Sequence, residues 1–177
     1  MDNSKQRHER HVDRAIAIRL EETDLAPLLR ASLGPLSMDA ARERIELRVV
    51  TLGTIPTVLV DREKIAWCIA TLVGNALRYV GRSEGAGDLG GSVLVQVEYD
   101  ATLPDVVTIA VQDDGPGIPD EKLPYLFERR SGALHTEGLA LTLVREIASA
   151  HGGDIRVESR RGPDEHGTSV TLRLRCR

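Results

Sequence analysis

The chain has 177 residues, 41% of them hydrophobic and only 3% aromatic, with a formal net charge of −4. This length suits one domain with a short extension, and the acidic balance gives no electrostatic basis for binding nucleic acid. Its two cysteines, Cys68 and Cys176, form neither a metal motif nor a disulfide framework, which fits a reducing cytoplasm. No apolar run approaches a membrane span and the N-terminus is polar, so we expect a cytoplasmic segment without membrane contact.

The first helical pattern lies at the N-terminus. Val12, Ile16 and Leu20 recur at helical spacing after a strongly charged start and predict a helix through Leu20. This helix has too little apolar surface for a core element. We therefore expect it to be the tail of a longer helix from a neighbouring domain, with a solvated, frayed terminus as the alternative.

A helix is next predicted from Leu25, where Thr23 or Asp24 can supply the cap. The pair Gly34-Pro35 is expected to kink or break it, because proline removes a backbone donor and clashes with the preceding turn. A second short helix is then expected through Ala41.

Two strands and a long helix follow. Alternation over residues 45–49 predicts a half-buried strand, and residues 57–60 predict another. Asp61 is expected to cap a helix over residues 62–80, whose apolar positions form one face.

The second half of the chain is richer in strands. The elements predicted there are strands over 93–99 and 106–111, a helical turn within 121–130, a helix over 139–150 opened by Gly138, and strands over 154–160 and 168–175. They are separated by loops or turns over 81–92, 102–105 and 131–137, and His151-Gly152-Gly153 is expected to stop the helix. Helices and strands mix without strict alternation, which predicts one α+β layer sandwich.

The turn after the second of these strands carries a chemical signal. The strand runs into Asp113-Asp114-Gly115-Pro116-Gly117, in which Gly115 and Gly117 let the backbone turn sharply and approach a ligand. A carboxylate in an apolar wall, such as Asp113, can accept a hydrogen bond from an exocyclic amine such as that of adenine. A tight Asp-Gly turn after an edge strand is the alternative.

Other polar and glycine motifs occur before and after this turn. Asn75, near the end of the long helix, offers an amide oxygen suited to Mg²⁺, and Arg78 and Tyr79 follow it. Phe127 lies in the short segment after the turn. The sequence 138–141, Gly-Leu-Ala-Leu, opens a helix whose free N–H groups could bind phosphate. Together these parts could hold a base, a metal ion and a triphosphate.

The order of these motifs resembles the catalytic and ATP-binding domain of bacterial sensor histidine kinases, within the GHKL ATPase superfamily. The resemblance covers roughly residues 24–175. The matching stretches are 72–79 for the N box, 113–117 for the first glycine box D-x-G-x-G, 126–127 for the F box, 138–147 with 150–153 for the second glycine box and its helix, and Gly167-Thr168 at the opening of the last strand.

The resemblance implies a two-layer α/β sandwich, with a mixed, mostly antiparallel sheet of about five strands and helices on one face. It implies that Asp113 binds adenine with Thr168 nearby through water, and that Asn75 coordinates Mg²⁺. Arg78 and Tyr79 would face phosphate and ribose. The nucleotide site would be completed by Gly115, Gly117, Phe127, Gly138, Leu139 and Leu141, and the ATP lid would lie between 127 and 138.

The implied function is donation of the γ-phosphoryl group of ATP to a histidine on a dimerisation domain of the same or a separate chain, with a response regulator downstream. Residues 1–22 would be a helical tail or linker from that domain, and residues 23–177 the ATP-binding domain. His8 and His11 have no following proline and no two-helix hairpin, so we expect solvated tail residues rather than phosphate acceptors.

Two departures from the family pattern keep alternatives open. The second glycine box G-x-G-L-G-L is here Thr136-Glu137-Gly138-Leu139-Ala140-Leu141, with two of three glycines replaced. One alternative is therefore a degenerate domain that binds nucleotide weakly or not at all and serves as a regulatory interaction module. Another is an anti-sigma-factor serine kinase, although that class places Glu one turn before the Mg²⁺ Asn, where this chain has Thr71.

Overall fold

The computed structural model describes residues 16–80, 91–99, 106–128, 136–162 and 165–176, without the side chains of 136–138. The predicted loop over 81–90, the turn over 102–105, the lid residues 129–135, and His8 and His11 lie outside these residues. In chain order the elements are β1 (Glu21–Thr23), α1 (Leu25–Arg42), β2 (Glu46–Leu52), β3 (Val58–Val60), α2 (Arg62–Val80), β4 (Ser92–Tyr99), β5 (Val106–Asp113), a 3₁₀ turn (Leu123–Tyr125), α3 (Thr136–Ala150), β6 (Asp154–Arg161) and β7 (His166–Arg175).

One layer of the fold is a five-stranded sheet in the order β2-β4-β5-β7-β6. Strand β2 runs parallel to β4, and all other neighbours are antiparallel. Strands β1 and β3 form a separate antiparallel pair. The predicted α+β sandwich with a mixed, mostly antiparallel sheet is confirmed.

The helices cover one face of this sheet. Helix α2 packs on β4 and β5, and α3 packs on β6 and β7. Alternate strand residues are buried beneath them, and these are Val93, Val95, Val97, Val107, Ile109, Val111, Leu172 and Leu174. Branched aliphatic side chains therefore fill the core, as the scarcity of aromatic residues requires.

A buried hydrogen bond joins the start of α2 to the end of α3. The His151 Nε2 accepts from the Asp61 backbone N–H at 2.9 Å, while its Nδ1 contacts the Ile147 carbonyl oxygen at 2.7 Å and therefore donates to it. Asp61 also caps α2, as predicted, by accepting from the Lys64 N–H at 3.1 Å. Burial would raise the pKa of Asp61, but hydrogen bonds from Arg19 and Lys64 hold it at about 2.

The prediction of a helix through Leu20 is wrong over residues 16–20, which have no regular secondary structure. The Arg19 N–H donates to the Asp61 carboxylate at 3.0 Å, and residues 21–23 then pair with β3. These contacts with distant parts of the chain replace the local helical hydrogen bonds that the apolar spacing suggested.

The predicted break at Gly34-Pro35 is also wrong, because α1 continues through both residues. Pro35 leaves the Ala31 carbonyl without its helical partner, but both residues are exposed, so water can satisfy that oxygen. Five residues of α1 are buried in the core and hold the helix in place, namely Leu25, Leu28, Leu29, Leu33 and Ala40.

Strand β2 is longer and more exposed than the predicted half-buried strand. It runs to Leu52, and only Leu47 is partly buried, because β2 is an edge strand of the sheet. Helix α3 begins at Thr136 rather than at Gly138, so the last two residues of the predicted loop are helical. The other boundaries lie within two residues of the predictions, and those of α2 agree fully.

Both cysteines are buried free thiols. Cys68 in α2 is 0% exposed, and burial raises the pKa of its thiol to about 12. Cys176 follows β7 and is 8% exposed. Within the described ranges, none of the helices has both the length and the apolar character needed to cross a membrane.

Candidate functional site

The side chain of Asp113 is held at the end of β5, opposite Thr168 of β7. Its Oδ1 accepts from the Gly115 N–H at 3.0 Å and from the Thr168 N–H at 3.3 Å. Burial raises its pKa to about 6, aided by the nearby Asp114 charge and opposed by these two hydrogen bonds. No group in the described part of the chain donates to Oδ2, so that oxygen can accept from a ligand.

Gly115 brings the Asp113 turn against the end of α2. A Cβ on Gly115 would lie 2.9 Å from the Asp113 Oδ1 and 3.6 Å from the Tyr79 carbonyl carbon. A side chain at this buried position would therefore displace the Asp113 carboxylate, whereas its contact with the helix would be an ordinary one. The N box and the first glycine box, predicted to form one site, are in contact here.

Gly117 and Gly167 fit close backbone crossings. Gly117 has a φ of +72°, and a Cβ there would overlap the Arg160 carbonyl oxygen of β6. Gly167 has a φ of +130°, and its Cβ would overlap the Asp113 carbonyl oxygen. Backbone packing against β6 therefore requires glycine at position 117, whether or not a ligand approaches it. Gly167 was not among the predicted site residues, although its place before Thr168 was the available signal.

Three polar contacts that sequence analysis missed fix the same turn. The Ser159 Oγ accepts from the Ile118 N–H at 2.7 Å. The His166 Nδ1 lies 3.0 Å from the Gly115 carbonyl oxygen and donates to it. On the other side, the Asp114 carboxylate accepts from the Ser92 N–H at 2.8 Å and from its hydroxyl at 2.9 Å. These partners lie 22 to 51 residues apart in sequence, so no local pattern indicates them.

The predicted metal ligand Asn75 is in contact with its neighbours on α2. Its Oδ1 accepts from the Arg78 Nη2 at 2.5 Å, and the Arg78 guanidinium lies 5.8 Å from the centre of the Tyr79 ring. No cluster of three His, Cys, Asp or Glu residues in the described ranges could hold a metal ion. Asn75 nevertheless fits Mg²⁺ that arrives with a nucleotide, because such Mg²⁺ uses few protein ligands besides phosphates and water.

Phe127, the predicted F-box residue, is fixed to α3. Its carbonyl oxygen accepts from the Thr142 hydroxyl at 2.9 Å and from the Arg145 Nη2 at 3.0 Å. The Arg145 guanidinium also lies 5.4 Å from the centre of its ring. The segment before the predicted lid is therefore anchored at its last described residues.

The predicted phosphate-binding residues lie in the first turns of α3. Because the helix begins at Thr136, Gly138 and Leu139 are inside its first turn rather than ahead of it. The N–H groups of this turn have no intrahelical partners, which suits an anion. Leu139 is 56% exposed, whereas Leu141 packs against the core. The Tyr79 backbone lies beside Gly115, and Arg78 links Asn75 to Tyr79.

Residues 60–177 match the sequence profile of the histidine kinase-, DNA gyrase B-, and HSP90-like ATPases. The chain belongs to this ATPase family, because the match covers more than half of its length. Its domain is of the histidine kinase type, as its relatives and structural neighbours indicate.

Sensor histidine kinase GtrS of Pseudomonas aeruginosa is 36% identical over 110 residues, which are 60% of this chain and 20% of that protein. Adaptive-response sensory kinase SasA of a Synechococcus species is 30% identical over 166 residues, or 90% of this chain and 42% of that protein. The chain thus spans less than half the length of either relative. The catalytic domain of histidine kinase ThkA has the same fold, with a TM-score of 0.74, 24% identity and coverage of 89% of this chain and 96% of that one.

Proposed function

We propose that this domain binds ATP with Mg²⁺ and donates the γ-phosphoryl group to a histidine on a dimerisation domain. Asp113 is the observation that carries the proposal. Two backbone N–H groups fix its Oδ1, while its Oδ2 has no donor among the described residues. Such an acceptor, held at the end of a buried strand, suits the exocyclic amine of adenine. Histidine kinase ShkA, which has the same fold with a TM-score of 0.73, has been solved in complex with AMPPNP.

In this proposal the other site residues divide between ribose, metal and phosphates. Thr168 lies beside Asp113 and would support the base through water, and Tyr79 would face the ribose. Asn75 would hold Mg²⁺, which neutralises phosphate charge when bound. Arg78 now donates to the Asn75 oxygen and would exchange that contact for a phosphate oxygen.

Phosphate and lid contacts would come from the remaining predicted residues. Phe127 would fix the start of the lid on α3, and the first turn of α3, with Gly138 and Leu139, would offer its free N–H groups. Leu141 would anchor that turn in the core. The catalytic contribution would be positioning and charge neutralisation, since phosphoryl transfer requires little covalent chemistry from the protein.

We further propose partners and location on the same basis. The phosphoryl group would pass to a histidine of a dimerisation domain, to which residues 1–22 would lead, and then to a response regulator. Histidine kinase ThkA has been solved in complex with the response regulator TrrA, and its fold matches with a TM-score of 0.71. A domain that uses ATP in this way would act in the cytoplasm.

A second candidate is a regulatory module that binds nucleotide weakly. The start of α3 favours it, because the helix includes Thr136 where the family has a flexible glycine. Ala140 adds a methyl group at a second former glycine. A stiffer first turn would close less readily on phosphates.

Titration of Mg²⁺·ATP by calorimetry separates the two candidates. We expect the unmodified chain to bind, and Asp113→Asn to weaken binding at least about tenfold, because a charge-assisted hydrogen bond contributes about 1.5–3 kcal/mol. The matched control is Asp154→Asn, which removes an exposed carboxylate on β6 and should leave affinity unchanged. Absence of binding by the unmodified chain would favour the regulatory module.

Labelling with γ-labelled ATP tests the transfer step. We expect the chain alone to remain unlabelled, and a separately added dimerisation domain that presents a histidine to become labelled. Acid-labile label on His8 or His11 would contradict the proposal that the acceptor lies elsewhere.

A further inference from the structure

We propose that Ser159 and His166 are positioning residues for the nucleotide base. They act through the loop of residues 113–118, named the base loop here, and the inference rests on the proposed function. Both residues belong to the β6–β7 pair, and they contact the base loop over separations of 41 and 51 residues. Neither residue matches one of the motifs that defined the site.

His166 restrains Gly115, a residue of the base loop whose backbone is little restricted because it has no side chain. Gly115 has no side chain, so its backbone is free unless other groups hold it. Its carbonyl oxygen accepts from the His166 Nδ1 at 3.0 Å, and its N–H donates to the Asp113 Oδ1 at 3.0 Å. Because a carbonyl oxygen only accepts, the proton of this contact lies on Nδ1. The two hydrogen bonds together fix both backbone groups of Gly115.

Ser159 ties the far end of the base loop to the opening of β7. Its hydroxyl accepts from the Ile118 N–H at 2.7 Å and donates to the Gly167 carbonyl oxygen at 3.2 Å. The next residue is Thr168, whose N–H is the second donor to the Asp113 Oδ1. The Ser159 hydroxyl therefore holds the base loop and β7 in the relative position at which the Thr168 N–H reaches Asp113.

Both donors to Asp113 thus depend on the β6–β7 pair, one through Gly115 and one directly from Thr168. They favour the ionised carboxylate, which is the stronger acceptor for an amine. If the loop loosened, the carboxylate would lose donors and its Oδ2 would lose a fixed direction. We expect weaker binding of the base, with contacts to the phosphates unchanged.

The first test compares affinities for Mg²⁺·ADP and Mg²⁺·ATP. Ser159→Ala and His166→Ala should each weaken both nucleotides by about fivefold, the effect of one lost hydrogen bond. Equal factors for ADP and ATP exclude an effect on the γ-phosphate. His166→Asn should restore affinity because its Nδ2 occupies the place of Nδ1, whereas His166→Gln should not. Ser169→Ala, a half-buried serine on β7 that pairs with Gln112 of β5, is the matched control and should bind as the unmodified chain does.

The second test measures the pKa of Asp113 by carboxyl NMR without nucleotide. It should rise in Ser159→Ala and His166→Ala and return in His166→Asn. If the unmodified chain binds neither nucleotide, the proposed function fails, while an unchanged pKa in the alanine variants overturns the positioning role. Unmodified affinity in both alanine variants of a chain that does bind would overturn the inference while the proposed function stands.

Discussion

The base loop and the first turns of α3 would hold opposite ends of one nucleotide, and they are built differently. The base loop is fixed on three sides, by Ser92 of β4, by the end of α2, and by Ser159 and His166. Among the described residues, α3 is held near its start by Phe127, whose carbonyl oxygen accepts from Thr142, and by the packing of Leu141. We therefore expect the base end to be formed before a nucleotide binds and the phosphate end to be completed by binding.

The largest expected effect comes from adding a side chain where the base loop meets β7. Gly167→Ala places a Cβ on the Asp113 carbonyl oxygen at a φ of +130°. We expect a loss of about 3 kcal/mol in the free energy of unfolding, from the strained φ and the overlap. Denaturant unfolding measures it. Gly74→Ala, in open space within α2, is the control and should gain up to about 1 kcal/mol.

Removing the charge of Asp113 should stabilise the folded domain while it weakens nucleotide binding. The pKa of Asp113 is raised from 3.8 to about 6, so the folded state binds its proton more tightly and loses stability as pH rises through this range. Asp113→Asn lacks that cost and keeps an acceptor oxygen for Gly115 and Thr168. We expect its free energy of unfolding at pH 7 to exceed that of the unmodified chain by about 2 kcal/mol. Below about pH 4 the two free energies should be equal. A variant less stable than the unmodified chain at pH 7 would contradict the argument.

The same carboxyl should make nucleotide affinity depend on pH. Below about pH 6 the free domain holds Asp113 protonated, and a protonated carboxyl is a weaker acceptor because its hydrogen bond from adenine is no longer charge-assisted. Affinity for Mg²⁺·ADP should therefore fall as the pH drops below about 6 and level off near the affinity of Asp113→Asn. Calorimetry between pH 5 and 8 measures this, and Asp113→Asn should give a flat profile over the same range.

The smallest effect is expected at the phosphate end. Thr136→Gly with Ala140→Gly restores the two family glycines and loosens the first turn of α3 by about 0.5–1 kcal/mol per residue. We expect affinity for ATP to rise about threefold and that for ADP to change less. If neither affinity changes, and hydrogen exchange at the start of α3 stays the same, the first turn does not limit binding.

Where local and distant interactions agree, the sequence predicted the fold. The bounds of α2 were predicted fully, because the Asp61 cap and the apolar face indicate the same helix. The helix through Leu20 and the break at Pro35 were predicted from local signals alone. The structure overrides them with a hydrogen bond to Asp61 and with the burial of α1 in the core.

The candidate site was predictable to the same extent. The Tyr79 backbone lies beside Gly115, and Arg78 links Asn75 to Tyr79, whereas the binding roles of these motif residues stay predictions. Ser159 and His166 could not be predicted, since their roles arise only when β6 and β7 fold back on the base loop. Ser, His and Gly are common in hairpins, so their presence there does not by itself indicate a role in a binding site.

The rates at which a reagent modifies the two buried thiols report on how the folded chain opens. Cys68, on α2, is fully buried, and burial raises the pKa of its thiol to about 12, so a thiol reagent reaches it as a reactive thiolate only when the core separates. Cys176, just after β7, is also buried, and a reagent would reach it when the last strand opens locally. The ratio of the two modification rates therefore distinguishes local opening of β7 from separation of the core.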